Sequence, residues 1–172
     1  MKPYTPGPRA TVHDDVVDGQ HTLVFVRDFR HPVERVWAAL TDPAHLNDWA
    51  PFTAERDLAK PGDTTLTMLD GEEAVELPCV VTRAEAPTLL EYTWGTDHLR
   101  WELSPTDDGT RLTLRHRVQG PEWVPMVAAG WHICLDVADR LLGGERIGAI
   151  RGKEALEYGW NELNDAYRAD LT

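Results

Sequence analysis

Cysteine is nearly missing from this chain, with only Cys79 and Cys134 among 172 residues. Two thiols this far apart cannot build a disulfide framework or a zinc knuckle, and each sits in an apolar run, so both are expected as buried, reduced side chains. Positive charge is scarce too: 17 Lys and Arg stand against 29 Asp and Glu, a formal charge of −12. Such a surface repels phosphate backbones and anionic lipids over a Debye length or more, so no nucleic acid and no membrane is expected as a partner. Long hydrophobic runs are absent. Residues 1–20 carry Pro3, Pro6, Pro8, Asp14 and Asp15 but nothing resembling a signal sequence, and no later segment approaches transmembrane length. The expectation is a cytoplasmic protein with residues 1–20 as a flexible N-terminal arm.

Catalytic and cofactor signatures are equally thin. GAIRGKE resembles a phosphate loop, but Gly148 and Gly152 are one residue too close and Glu154 stands where a magnesium-binding Ser or Thr is needed. No His-Glu-x-x-His pattern and no Ser or Cys in a nucleophile elbow occurs. No metal and no cofactor is expected.

What is present is a helix of unusual breadth. Over residues 122–144, Val124, Val127, Ala128, Trp131, Ile133, Cys134, Leu135, Val137, Ala138, Leu141 and Leu142 cover roughly 220° of a helical circumference. Only His132, Asp136, Asp139 and Arg140 remain as a narrow polar stripe. A surface helix does not need so wide an apolar arc; something must wrap around this one. The spacing of His132, Asp136 and Arg140 at successive i+4 steps predicts a solvated ladder of ion pairs, with half a metal site or a catalytic pair as the sharper alternative.

The material for wrapping lies upstream. Residues 21–30 read as a first strand, and Val33, Val36, Trp37 and Leu40 recur at helical spacing after Pro32, which can take a first helical position. Asp42 caps a second short helix with Pro43 at its start, returning Leu46 and Trp49 to the core. From residue 52 to 120, short β-rich runs alternate with turn signals at Lys60-Pro61-Gly62, Asp70-Gly71, Gly95-Thr96-Asp97 and Asp107-Asp108-Gly109, a pattern of antiparallel hairpins. Leu112, Leu114, His116 and Val118 share one strand face, as do Leu99, Trp101 and Leu103, and Leu90, Tyr92 and Trp94. The reading is an α+β fold: two short helices after the first strand, and an antiparallel sheet of about six or seven strands curled around the long helix. Residues 21–144 form this domain. Residues 145–172 form an extension with an amphipathic helix presenting Leu156, Trp160, Leu163 and Tyr167, with Gly159 inside it, docked on its own domain or forming a homodimer.

Three segments carry a resemblance. TLVFVRDFRHPVERVWAALTDPAHLNDWAPF resembles the opening of the START-like (SRPBCC) superfamily, which contains polyketide cyclases and the activators of the Hsp90 ATPase. GWHICLDVADRLLGG resembles its long C-terminal helix, and YGWNELNDAYRADL the tail of a bacterial subgroup related to those activators. The resemblance implies a helix-grip fold with a cavity between sheet and helix that holds a small hydrophobic or aromatic molecule. Ala50 stands where subgroup members often carry an aromatic or Met residue, which implies a wider entrance, and no counterpart of the activators' separate N-terminal domain is present.

Seven tryptophans read first as core filler, with cavity wall as the sharper alternative. The expected ligand-lining set is Tyr92, Trp94, Trp101, Leu114, His116, Val127, Trp131 and Leu135. His116 reads either as a satisfied core histidine or, paired with Tyr92, as the polar anchor of a guest. The leading function is non-enzymatic binding of a small hydrophobic molecule, as carrier or sensor. The alternatives are an interaction protein resembling the Hsp90 activators, and an enzyme resembling cyclases or aromatases in which His116 or Asp136 moves a proton.

Overall fold

The computed structural model describes residues 2–70 and 73–172. Its strands are β1 (Thr11–Val17), β2 (Gln20–Phe29), β3 (Phe52–Ala54), β4 (Gly62–Asp70), β5 (Glu73–Glu85), β6 (Leu89–Trp94), β7 (Asp97–Pro105) and β8 (Thr110–Val118). They form a curved antiparallel sheet ordered β1-β2-β8-β7-β6-β5-β4-β3. The helices are α1 (Val33–Thr41), α2 (Pro43–Trp49), α3 (Trp123–Leu142) and α4 (Trp160–Asp170), with a 3-10 helix at Gly152–Tyr158. The expected turn at Asp70-Gly71 includes Gly71, which lies outside the described residues.

The period-two pattern lands as expected. In β8, Leu112, Leu114, His116 and Val118 are buried, while Arg111 and Arg117 are exposed and Thr113 and Arg115 lie between. α2 is capped as predicted, with Asp42 Oδ1 accepting from the Ala44 amide at 2.9 Å, and the Trp49 indole donates to the Ala39 carbonyl at 2.8 Å. Pro32 differs: it stays extended at the N-cap, one residue before α1 begins.

The sheet has eight strands, not six or seven, and residues 11–17 are ordered strand, not flexible arm. Asp18 (φ 51°) and Gly19 (φ 76°) make a two-residue turn of the kind that matches strand twist, and β1 pairs with β2 from Thr11↔Val26 to Val17↔Gln20. Without it β2 would be an open edge. The extension is corrected as well. Gly159 (φ 92°) does not lie inside a helix; its left-handed backbone ends the 3-10 helix and starts α4. Leu163 and Tyr167 are buried on the chain's own α3 side, whereas Leu156, expected on the same face, is exposed.

α3 packs against β2, α1, α2, α4 and the 3-10 helix, so its polar stripe is not the solvated ladder its spacing suggested. His132 and Asp136 are buried, and Arg140 turns away to pair with Glu145 at 3.3 Å. The Asp136 carboxylate collects the Tyr4 hydroxyl (2.7 Å), the Gly7 amide (3.0 Å) and the Arg27 guanidinium. His132 Nε2 lies 3.2 Å from Asp136 Oδ2 but off the hydrogen-bond line, so that contact is chiefly electrostatic. Beyond it, the Tyr167 hydroxyl bridges His132 Nδ1 (2.6 Å) and the Ala10 amide (2.9 Å). One carboxylate thereby ties the N-terminal segment, β2, α3 and, through His132, α4 together.

Burial favours the neutral form of Asp136, but contacts from His132 and Tyr4, the Gly7 amide and the Arg27 charge outweigh it and hold its pKa far below the ordinary carboxylate value. A depressed native pKa stabilises the fold fully above the unfolded value near 4, and this stabilisation is lost as pH falls through and below it. Asp136→Asn should therefore lower the unfolding free energy by about 3 kcal/mol at pH 7, the scale for stranding a buried charge partner. Urea unfolding across pH should show the gap to wild type narrowing below about pH 4; equal stability at pH 7 would contradict the assignment.

Candidate functional site

Between the concave sheet face and the first half of α3 lies a run of aromatic rings. Trp49 and Trp101 meet at 90° with centroids 6.4 Å apart, Trp101 and Trp131 at 90° and 5.2 Å, and Trp94 and Trp131 at 62° and 6.0 Å. Phe52 continues the run, 5.0 Å from Trp94 and 6.3 Å from Tyr92. Such edge-to-face contacts fill space efficiently, and they close the middle of the grip.

The cavity opens at the end of this run. It has a volume of about 470 Å³ and lies where Trp94 and His116 of the sheet, Met68 of β4, the first half of α3 and residues 150–160 of the extension converge. From α3 it takes Trp123, Met126, Val127, Gly130, Trp131, Ile133 and Cys134, and from the extension Ile150, Arg151, Gly152, Ala155 and Trp160; Pro51 closes one side. The extension is therefore its roof.

Of the eight expected lining residues, Trp94, His116, Val127 and Trp131 reach this cavity. Tyr92, Trp101, Leu114 and Leu135 do not; they are fully packed core, because the indole run occupies the space where the cavity was expected. The pairing of His116 with Tyr92 is also corrected. The Tyr92 hydroxyl accepts from Trp101 Nε1 at 3.1 Å, and burial pushes its phenol far above the usual range. His116 instead accepts the Trp131 indole N–H on Nδ1 at 2.9 Å and meets Asp97 Oδ2 through Nε2 at 2.7 Å. An accepting Nδ1 fixes the tautomer: the proton is on Nε2, donated to the carboxylate. Burial raises the Asp97 pKa, but the His116 bond, Gln119 and Arg117 outweigh it, leaving a carboxylate below its ordinary value.

Both His116 nitrogens are thus engaged, and the ring acts as a brace for Trp131. Trp94 differs from its neighbours: its indole N–H is buried and has no acceptor among the described residues. No group of three or more His, Cys, Asp or Glu side chains among the described residues is arranged to hold a metal ion. Asp136 belongs to the terminal knot, not to the cavity wall.

The roof was missed for an evident reason. Ile150, Arg151, Ala155 and Trp160 are scattered over a glycine-punctuated segment with no single period, so only Trp160 stood out. Gly130 left no signal at all.

Fold and site together define a helix-grip protein. Residues 30–143 match the family described as activator of Hsp90 ATPase homolog 1-like protein, and the chain belongs to that family. Among solved structures it is similar to CalU16 from Micromonospora echinospora, 20% identical over 94% of this chain and 96% of that one, TM-score 0.68. It is also similar to the AHSA1-like protein from Aeromonas hydrophila, 20% identical over 72% and 92%, TM-score 0.60. DynU16, a protein of the dynemicin biosynthetic locus, is 22% identical over 76% of this chain and 50% of its own, TM-score 0.65. At these identities the likeness establishes the fold. No curated protein matches the chain. No helix among the described residues is long and apolar enough to cross a membrane.

His116→Leu should strand both the Asp97 carboxylate and the Trp131 N–H, at a cost of about 2–4 kcal/mol. Tyr92→Phe strands only one neutral donor, the Trp101 N–H, and should cost less, about 1–2 kcal/mol. Thermal unfolding of the two variants checks this order; a larger loss for Tyr92→Phe would contradict the bracing role of His116.

Proposed function

We propose that the protein binds a small hydrophobic or aromatic molecule in the cavity under the C-terminal extension, as carrier or sensor and not as a catalyst. The observation that carries this reading is the cavity itself: about 470 Å³ walled mainly by indoles, methionines and aliphatics. An apolar cleft with few polar groups is what a small guest needs. Membership in the family and the likeness to DynU16, from a biosynthetic locus, agree with a small organic guest.

A cyclase-like proton transfer is less well supported. His116 has no free nitrogen to offer a guest, and Asp136 is locked among Tyr4, Gly7 and Arg27 away from the cavity. Docking to a chaperone, the reading that the family description invites, has only the chain's overall acidity in its favour among the described residues.

Gly130 supplies a clean test. It lies on the cavity wall within α3, and a Cβ added there meets nothing within 4 Å. Replacing a helix-interior glycine also favours the helix, by up to about 1 kcal/mol for Ala. Gly130→Phe should therefore fill the cavity without loss of the fold. Titration with the neutral fluorophore N-phenyl-1-naphthylamine should show saturable enhancement with wild type and affinity reduced by about tenfold or more in the variant, its melting temperature preserved. No binding to wild type, or equal binding to both, would overturn the proposal.

A further inference from the structure

Arg151 is the one formally charged side chain on the cavity wall among the described residues. Its Nε donates to the Ala50 carbonyl and its Nη2 to the Asn47 carbonyl, both at 2.8 Å, so the end of α2 holds the guanidinium in one orientation. Carbonyl dipoles satisfy donors but do not neutralise a charge. Nη1 has no acceptor among the described residues, and no carboxylate pairs with the group. Asp48 attracts the group only from beyond ion-pair distance, its carboxylate being held by Arg146 at 3.0 Å. The Cys134 thiol, pushed up to about 12 by burial, is neutral. Burial lowers the guanidinium's own pKa, the response of a cation short of counter-charge. In a chain of net charge −12, an unpaired cation against apolar space runs against the prevailing pattern.

We propose that the guest is an organic acid, its apolar body lying among Trp94, Val127 and Trp160 and its carboxylate on the free Nη edge of Arg151. This rests on the cavity binding argued above and adds the chemical class of the ligand. Arginine suits the role because its planar fork, already fixed by two carbonyls, meets a carboxylate with little further ordering. The competing role, a clamp that only holds the extension onto α2, predicts no preference for acids; the protein's overall charge would then disfavour them.

Calorimetric titration of the intact protein at pH 7 with 2-naphthoic acid and its neutral counterpart 2-naphthamide separates these roles. The acid should bind about tenfold or more tightly than the amide, the gain of one charge-assisted contact. In Arg151→Gln the acid and the amide should bind with equal affinity, and Arg151→Lys should keep part of the preference. A wild type that binds both equally, or prefers the amide, overturns the acid proposal while leaving the cavity reading intact, and that ratio decides even if Arg151→Gln loosens the roof. A preference surviving in Arg151→Gln also overturns it. If neither compound binds wild type, the cavity reading fails and takes this inference with it.

Discussion

A helix enclosed on nearly every side must satisfy its polar residues inside the protein, and in α3 that requirement converges on the Asp136 carboxylate. An ionised carboxylate at this depth persists only if donors surround it. Tyr4 and Gly7 reach it from the N-terminal segment and Arg27 from the sheet, while His132 links it to Tyr167 of α4. Because the termini are fixed there, residues 145–172 lie back over α3, and their path past the first half of that helix supplies the roof of the cavity. The shape of the cavity thus depends on an ion-pair cluster that lies outside its wall.

The second determinant is how the indoles pack. Trp49, Trp101 and Trp131 meet edge to face, and each places its N–H on a partner: the Ala39 carbonyl, the Tyr92 hydroxyl and His116 Nδ1 respectively. Rings fixed both by packing and by hydrogen bonds leave little freedom to open a central void. Trp94 ends the run without an acceptor, and the protein's own packing stops beside it. The grip is therefore closed in its palm and open at its mouth.

Much of the architecture was legible in the residues. The alternation through β6, β7 and β8 and the broad apolar arc of α3 required a one-faced sheet around a buried rod, and the three resembling segments pointed to the family that residues 30–143 match. What escaped was what periodicity cannot carry. β1 is mostly exposed and bears two aspartates, so its alternation is faint and the Asp18-Gly19 turn passed unread. The stripe of His132 and Asp136 shows which face of α3 is polar but not that the chain's two ends cover it. Tyr92 and Trp101 share the concave face with Trp94, and strand register alone cannot distinguish a ring that lines a void from one that fills it. That distinction depends on how rings from α2, the sheet and α3 interlock.

The central claim is spatial: room for a guest exists at the mouth and not in the palm. A crystal structure of the protein equilibrated with iodobenzene tests it most directly, since iodine is located by anomalous scattering and a neutral ring makes no demand on Arg151. The account predicts an iodine peak between Trp94, Val127, Gly130 and Trp160, beneath the extension. Iodine lodged between Trp101 and Leu114, or no ordered iodine at the mouth at saturating concentration, would contradict it.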